Sequence, residues 1–251
     1  MKYRQSIPRF IIFFGPVGVG KTTLAEFLRS RLSKKGLRVK ITFLKAFHGL
    51  SFIVWDLVAR ILHYKVKTHN HNYRAPWLYV SQISEKLAWE LTLITVAIDT
   101  FLSIPLKLLH IELLKFLYDT VICEEYLLGT ISDYLFTLLK AKNKRGSSIL
   151  RFSLRVFFSM LSRYAQKSVI VFLDANFHVL INRWNMRGRG EPQHIYVLYQ
   201  KMLIMKFIEY IKVSDMSIRS AYVDTSNLHV GNLAIMLDYI ISSSEKLGYQ
   251  S

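Results

Sequence analysis

The chain of 251 residues has a single cysteine, Cys123. One thiol cannot close an internal disulfide, so a disulfide-stapled secreted scaffold is excluded and a reducing, cytoplasmic setting is expected. Cys123 sits in an apolar, strand-like run and reads as an inert core thiol. Acidic residues are scarce too. There are 17 Asp+Glu against 34 Lys+Arg, a net charge of +17, which draws nucleotides, nucleic acid and anionic lipid alike. A long uninterrupted apolar run is also missing. The nearest approach, Leu91 to Leu109, carries Asp99, Pro105 and Lys107, so it reads as a buried helix and its successor, not as a membrane span. The first apolar run is six residues long and ends in a glycine-rich turn, so no secretory signal is expected. No internal repeat and no low-complexity tail appear, and 51% hydrophobic residues support one sizeable core. One domain over residues 1–251 is the economical organisation.

What is present starts at Phe13, with FFGPVGVGKTT. Gly15, Gly20, Lys21 and Thr22 satisfy G-x-x-x-x-G-K-[ST], and Gly18 is an extra glycine inside the loop. The whole stretch Gly15, Pro16, Val17, Gly18, Val19, Gly20, Lys21, Thr22 and Thr23 reads as a phosphate-binding loop. Glycines let the backbone turn sharply and bring its N–H groups close to phosphate oxygens. Lys21 supplies a point charge for the β- and γ-phosphates, and the Thr22 hydroxyl is a Mg²⁺ ligand. A helix starting at Lys21 aims its positive end at the same anion. ATP and Mg²⁺ are therefore the expected cofactors.

The flanks agree. Apolar runs at Arg9–Phe14, Arg38–Leu44, Thr120–Cys123, Ser168–Leu173 and Ala221–Val223 predict strands. They alternate with helices predicted near Thr22–Lys34, Ser51–Tyr64, Leu78–Ile98, Pro105–Phe116, Gly129–Lys140, Ile149–Ala165, His178–Met186, Gln193–Val213 and Val230–Ser244. This alternation predicts an α/β fold, a three-layer α/β/α arrangement around a mostly parallel five-stranded sheet. Lys65 to Pro76 reads as a loop whose His69 and His71 lack the company a metal site needs. The basic segment Lys140–Lys167 predicts a surface helix, with Ile149, Phe152, Val156, Phe157, Met160, Leu161 and Tyr164 on its inner face. Arg151, Arg155 and Arg163 then lie outside that face, as a solvated surface or as a contact for nucleic acid or an anionic surface.

Two strands end in acids suited to Mg²⁺: TVICEEY at Glu124 and Glu125, and SVIVFLDA at Asp174. After Asp174 come Arg183, Arg187 and Arg189, on a helix end and a glycine-rich turn that can close over phosphates. With that order of blocks the chain resembles the thymidylate kinase family of nucleoside monophosphate kinases. The matching blocks are GPVGVGKTT, ITFLKAFHG, VICEEY, FLDANFHVLINRWNMRGRGE and AYVDTSN, and they span most of the chain. The resemblance implies ATP·Mg²⁺ as donor and a nucleoside monophosphate, dTMP foremost, as acceptor. It implies a mobile lid over about 183–195, Glu124 as the Mg²⁺ acid, and an acceptor pocket at Lys45, Phe47, His48, Glu125 and Tyr126.

The sequence departs from the family on the acceptor side. Glu124-Glu125-Tyr126 stands for the family's Asp-Arg-aromatic, and Lys45-Ala46-Phe47-His48-Gly49 for Arg-Glu-Pro-Gly-Gly. Thr100, after Asp99, stands for a second arginine. Lys45, His48 or Arg74 are the candidate replacement cations. Adjacent residues at a strand end point to opposite sides, so Glu124 is expected to face the phosphate loop and Glu125 the acceptor. The altered acceptor side keeps a different class open, an ATPase whose nucleotide state switches binding to nucleic acid or a membrane surface. The oligomeric state, a homodimer included, is left open.

Overall fold

The computed structural model describes residues 7–63, 76–140, 145–186, 194–214 and 218–227. All five strands expected from the apolar runs form: β1 Phe10–Phe14, β2 Val39–Phe43, β3 Thr120–Glu124, β4 Val169–Asp174 and β5 Arg219–Asp224. They build one sheet in the order β2-β3-β1-β4-β5, and every pairing is parallel. β1 is central and reads FIIFF without alternation because both faces of the sheet are covered. Phe10, Ile12 and Phe14 pack into one core, Ile11 and Phe13 into the other. The three-layer α/β/α expectation holds, with the sheet parallel throughout.

One face carries α1 (Lys21–Lys34) and α8 (Phe177–Met186). The other carries α2 (Leu50–Ile61), α3 (Pro76–Ile83), α4 (Glu85–Ile98), α5 (Ile104–Leu117), α6 (Tyr126–Lys140) and α7 (Ser147–Tyr164), while α9 (His194–Val213) contributes to both cores. The chain leaves β1 toward β2 on one side and later crosses to β4 on the other. The carboxyl end of β1 is therefore the switch point at which parallel α/β sheets open a crevice.

Three expectations are corrected. The single helix expected over Leu78–Ile98 is two, because the Ser84 side chain accepts the Leu87 N–H at 3.3 Å and caps a fresh start. The expected inner face of α7 is turned by about one residue. Leu150, Leu154, Phe157 and Leu161 are buried, whereas Ile149 and Phe152 are exposed. The stretch expected to be a buried helix and its successor is buried on one side only. α4 runs through a π turn, Asp99–Ser103, into α5, giving 33 continuous helical residues with mean hydropathy 1.6, long and apolar enough by composition to cross a membrane. Ile104, Leu108, Ile111 and Leu114 line the core, while the opposite face of α5 is open to solvent. The loop expected at Lys65–Pro76, with His69, His71 and Arg74, lies outside the described residues except for Pro76, and so does the helix expected at Val230–Ser244.

Candidate functional site

β1 delivers the chain into Gly15 at the switch point. A Cβ on Gly15 would stand 2.2 Å from the backbone oxygen of Leu173 in β4, so only glycine lets the loop pass. Gly18 and Gly20 take left-handed φ values of 89° and 98°, and Gly20 caps α1. Val19 is buried against the α1 side of the sheet, its N–H bonded to the Pro16 carbonyl; Thr23 is exposed at the start of α1. The Val17 N–H donates to the buried Gln200 of α9 at 3.1 Å, across 183 residues.

Lys21 lies inside this loop. Its Nζ donates to the carbonyls of Gly15 at 2.7 Å and Pro16 at 2.9 Å, and pairs with Glu125 Oε1 at 2.9 Å. An ammonium has three donors, and all three are engaged. Beside it the Thr22 hydroxyl donates to Glu124 Oε2 at 2.8 Å, across the gap between α1 and the end of β3. Burial pushes the Glu124 carboxyl up, and Glu125 and Glu26 add to that; the Thr22 hydrogen bond and Lys21 oppose it. A hydroxyl and a carboxylate oxygen meeting next to the loop lysine suit a hard divalent cation.

Asp174, the competing acid, is held elsewhere. Its Oδ1 accepts from Lys201 at 2.5 Å and from the Ala175 N–H at 2.8 Å, and its Oδ2 accepts from Tyr222 at 3.0 Å. Those partners tie it to α9 and β5, away from Thr22.

No family model matches the sequence, and no curated protein is significantly similar to it. Solved structures share its architecture. A deoxyadenosine kinase from M. mycoides with bound dCTP superposes with a TM-score of 0.53 at 15% identity, over 93% of this chain and 99% of that one. A thymidylate kinase from Candida albicans does so with a TM-score of 0.50 at 13% identity, over 95% of this chain and 93% of that one. These two kinases share the fold of this chain.

Within this fold, the expectation that Glu124 and Glu125 face opposite sides is corrected. Both carboxylates converge on the loop. The alternation rule applies inside a strand, and β3 ends at Glu124. Glu125 has φ 68° and Tyr126 φ 50°, two successive left-handed residues that swing the Glu125 side chain back onto Lys21. Gly129 leaves it room, since a Cβ there would come within 2.6 Å of the Glu125 Cβ. The second oxygen of Glu125, Oε2, is buried and has no hydrogen-bond partner among the described residues.

The acceptor-side residues divide. Tyr126 is fully buried, edge-on to Phe10 at 5.1 Å, and Phe47 is buried against Trp55, Trp77 and Tyr134; both are core residues in place of the expected substrate contacts. The apolar neighbours of Phe10 and the left-handed turns at positions 47 and 126 drive them inward. His48 is half-buried, its Nδ1 2.7 Å from the Ala46 carbonyl and its ring beside Phe43 and Trp77. Lys45 reaches to 4.0 Å from Asp133 of α6. Burial lowers the lysine's proton affinity, but Asp133 and Glu125 outweigh it, so Lys45 stays a cation. Burial raises the Asp133 carboxyl against the pull of Lys45 and Tyr196.

Asp133 accepts from the Tyr196 hydroxyl, which in turn accepts from Gln200 Nε2 at 2.9 Å. A buried polar chain thus runs from the Val17 N–H through Gln200, Tyr196 and Asp133 toward Lys45. No local pattern announced Gln200, Tyr196 or Asp133. Asp99 at least had an anomaly to offer, an acid inside an apolar helix. It is fully buried and accepts from the Phe47 N–H at 3.0 Å, from Tyr134 at 2.7 Å and from Ser51, which pins the loop after β2 to the π turn.

Of the three arginines expected in the lid, Arg183 is described. It donates to the Thr225 carbonyl at 2.9 Å and to its hydroxyl at 3.2 Å, while that hydroxyl donates to the Val19 carbonyl at 3.1 Å. Arg183 thereby fastens α8 and the end of β5 to the phosphate loop. Arg187, Arg189 and most of the stretch 183–195 lie outside the described residues. So do residues 141–144 of the basic segment; Arg151, Arg155, Arg163 and Lys167 are exposed.

Proposed function

We propose that the protein is a cytoplasmic ATP-dependent kinase that transfers the γ-phosphoryl group to a nucleoside monophosphate, with dTMP first among acceptors. One observation carries the proposal: Lys21 is enclosed by the loop carbonyls, and the Thr22–Glu124 pair joins the loop to the end of β3. The glycine cradle, the lysine and the hydroxyl–carboxylate pair fit a nucleotide with its metal. Mg²⁺ at Thr22 and Glu124 would supply neutralisation of phosphate charge.

The chain's own residues do the positioning. Lys21 gives up one of its three acceptors and turns that N–H to phosphate. Arg183 holds the loop in place through Thr225, and we assign Arg187 and Arg189 to closing over the transferred group. An acceptor oxygen forms the new bond to the γ-phosphorus as the bond to the bridging oxygen breaks, and ADP leaves.

A second acceptor class is favoured by the carboxylates of Glu125 and Asp133, which flank Lys45. They repel an acceptor phosphate more than a neutral hydroxyl, which points to a nucleoside, deoxynucleosides included. The test is a panel of nucleoside monophosphates and deoxynucleosides incubated with ATP·Mg²⁺, with products resolved. Formation of dTDP supports the first reading, and formation of a monophosphate from a deoxynucleoside the second. ATP loss with no phosphorylated acceptor replaces both with an ATPase.

A further inference from the structure

The exposed side of α5 is mostly apolar, with His110 the exposed polar residue on it. Leu102, Leu106, Leu109, Leu113 and Phe116 recur at helical spacing and are each at least half exposed, Phe116 at 91%. A second stripe runs along α2, with Ile53, Leu57 and Ile61 at 60%, 59% and 67% exposure. The two stripes start at one place. Gly49, which caps α2, lies against Ser103 at the head of α5, and α2 packs on the π turn. Soluble monomers rarely leave apolar stripes of this length in water without a use for them.

Charge selects among occupants. The acids beside the stripes are each matched, Asp56 by Arg60 at 2.7 Å and Glu112 by Lys115 at 2.5 Å, and Lys107 adds a cation over the Phe43 ring. The chain as a whole carries +17, so a second copy is repelled and an anionic surface attracted. Spanning is ruled out by the other side of α5, where Ile104, Leu108, Ile111 and Leu114 are committed to the core. A helix with one apolar face open, one face anchored in protein and cations along its flanks is built to lie in the plane of a membrane interface.

We propose that the α2–α5 face docks the protein on an anionic lipid surface, with the leucines of α5 and Phe116 entering the boundary between headgroups and acyl chains. Lys107, beside α5's apolar stripe, meets the headgroups. The docking face lies on the sheet's α2 side and does not depend on the phosphoryl-transfer reading.

The experiment is flotation of the full chain with phosphatidylcholine vesicles, with and without phosphatidylserine. Wild type is expected to float with the phosphatidylserine vesicles and far less with phosphatidylcholine alone. The double variant Leu109→Glu/Leu113→Glu is expected to lower the partition coefficient about tenfold or more, because two inserted side chains are lost. Leu57→Glu, on a different helix, should lower it independently. Met202→Glu, on the exposed side of α9, should leave it unchanged. Thermal melts show which variants are folded, and either stripe alone suffices for the test. Failure of wild type to float with phosphatidylserine vesicles overturns the proposal. So does equal flotation of wild type and folded stripe variants, which would make charge alone responsible. So too does a dimer in sedimentation equilibrium that Leu109→Glu/Leu113→Glu splits, which would assign the face to a second copy.

Discussion

Replacing Glu125 by glutamine is expected to tighten ATP binding. Lys21 spends its three N–H bonds on Gly15, Pro16 and Glu125, so a phosphate that takes one of them has to displace its acceptor. The carboxylate is the strongest competitor, and both side chains of the pair are only 10% exposed, so water screens it little. A charged hydrogen bond of this kind contributes about 1.5–3 kcal/mol and a neutral one about 1 kcal/mol. Glu125 sits at the lower end, because its other oxygen is buried with no hydrogen bond among the described residues, and that lost solvation offsets part of the gain. Exchange for an amide therefore removes about 0.5 kcal/mol from the cost of freeing the lysine, which is about twofold in affinity. The negative charge it removes from beside the phosphates acts in the same direction. The assay is calorimetric titration with a non-hydrolysable ATP analogue and Mg²⁺, with Lys21→Ala as the non-binding control. Unchanged or weaker binding by Glu125→Gln would refute the reasoning and make the carboxylate a guide that orients Lys21 toward phosphate.

Four further outcomes are expected. Glu124→Gln should nearly abolish turnover, whereas Asp174→Asn should lose about 1–3 kcal/mol of stability from its buried contacts yet keep its Mg²⁺ dependence; steady-state assays across Mg²⁺ concentrations separate the two. Gly15→Ala should weaken nucleotide binding by about a hundredfold or more in titration, since its Cβ meets the Leu173 carbonyl and the loop has to move out of the geometry that cradles phosphate. Burial raises the Asp99 carboxyl, so the folded chain holds that proton more tightly than the unfolded one; this stabilisation is full below the ordinary value of about 3.9 and is lost as pH rises through the folded value. Asp99→Asn should flatten that slope in denaturant titrations at several pH values, while Asp99→Leu strands the Phe47 N–H and Tyr134 hydroxyl and should cost about 2–4 kcal/mol. Gln200→Leu leaves the Val17 N–H unpaired and should weaken ATP binding about fivefold in the same titration, with the melting temperature falling by a few degrees.

The sheet and its loop were readable because they rest on short-range rules. FIIFF needs only its own composition to declare a strand covered on both sides, and Gly15, Gly20, Lys21 and Thr22 need only their spacing. Where a reading failed, a local rule met a boundary. Alternation put Glu125 opposite Glu124, but a left-handed backbone at 125 and 126 takes the side chain out of the strand's pattern. A helical wheel placed Ile149 and Phe152 inward, yet α7 buries Leu150 and Leu154, because the partner surfaces decide which of two apolar faces is covered. Ser84 looked like any polar residue on a helix until its hydroxyl was seen to cap the next one. Gln200 had nothing to mark it, since its contact with Val17 lies 183 positions away.

The π turn at Asp99–Ser103 acts as a gear between two halves of one long rod. A wider turn with one extra residue advances everything after it by about 100° relative to an uninterrupted helix. The half before it aims Leu91, Thr95 and Val96 at the core; the half after it aims Ile104, Leu108, Ile111 and Leu114. Removing one residue from the turn would rewind the second half by that angle, carrying buried leucines toward water and exposed ones toward the sheet. The pitch of five residues therefore governs which side of a fourteen-residue helix the rest of the molecule is able to use.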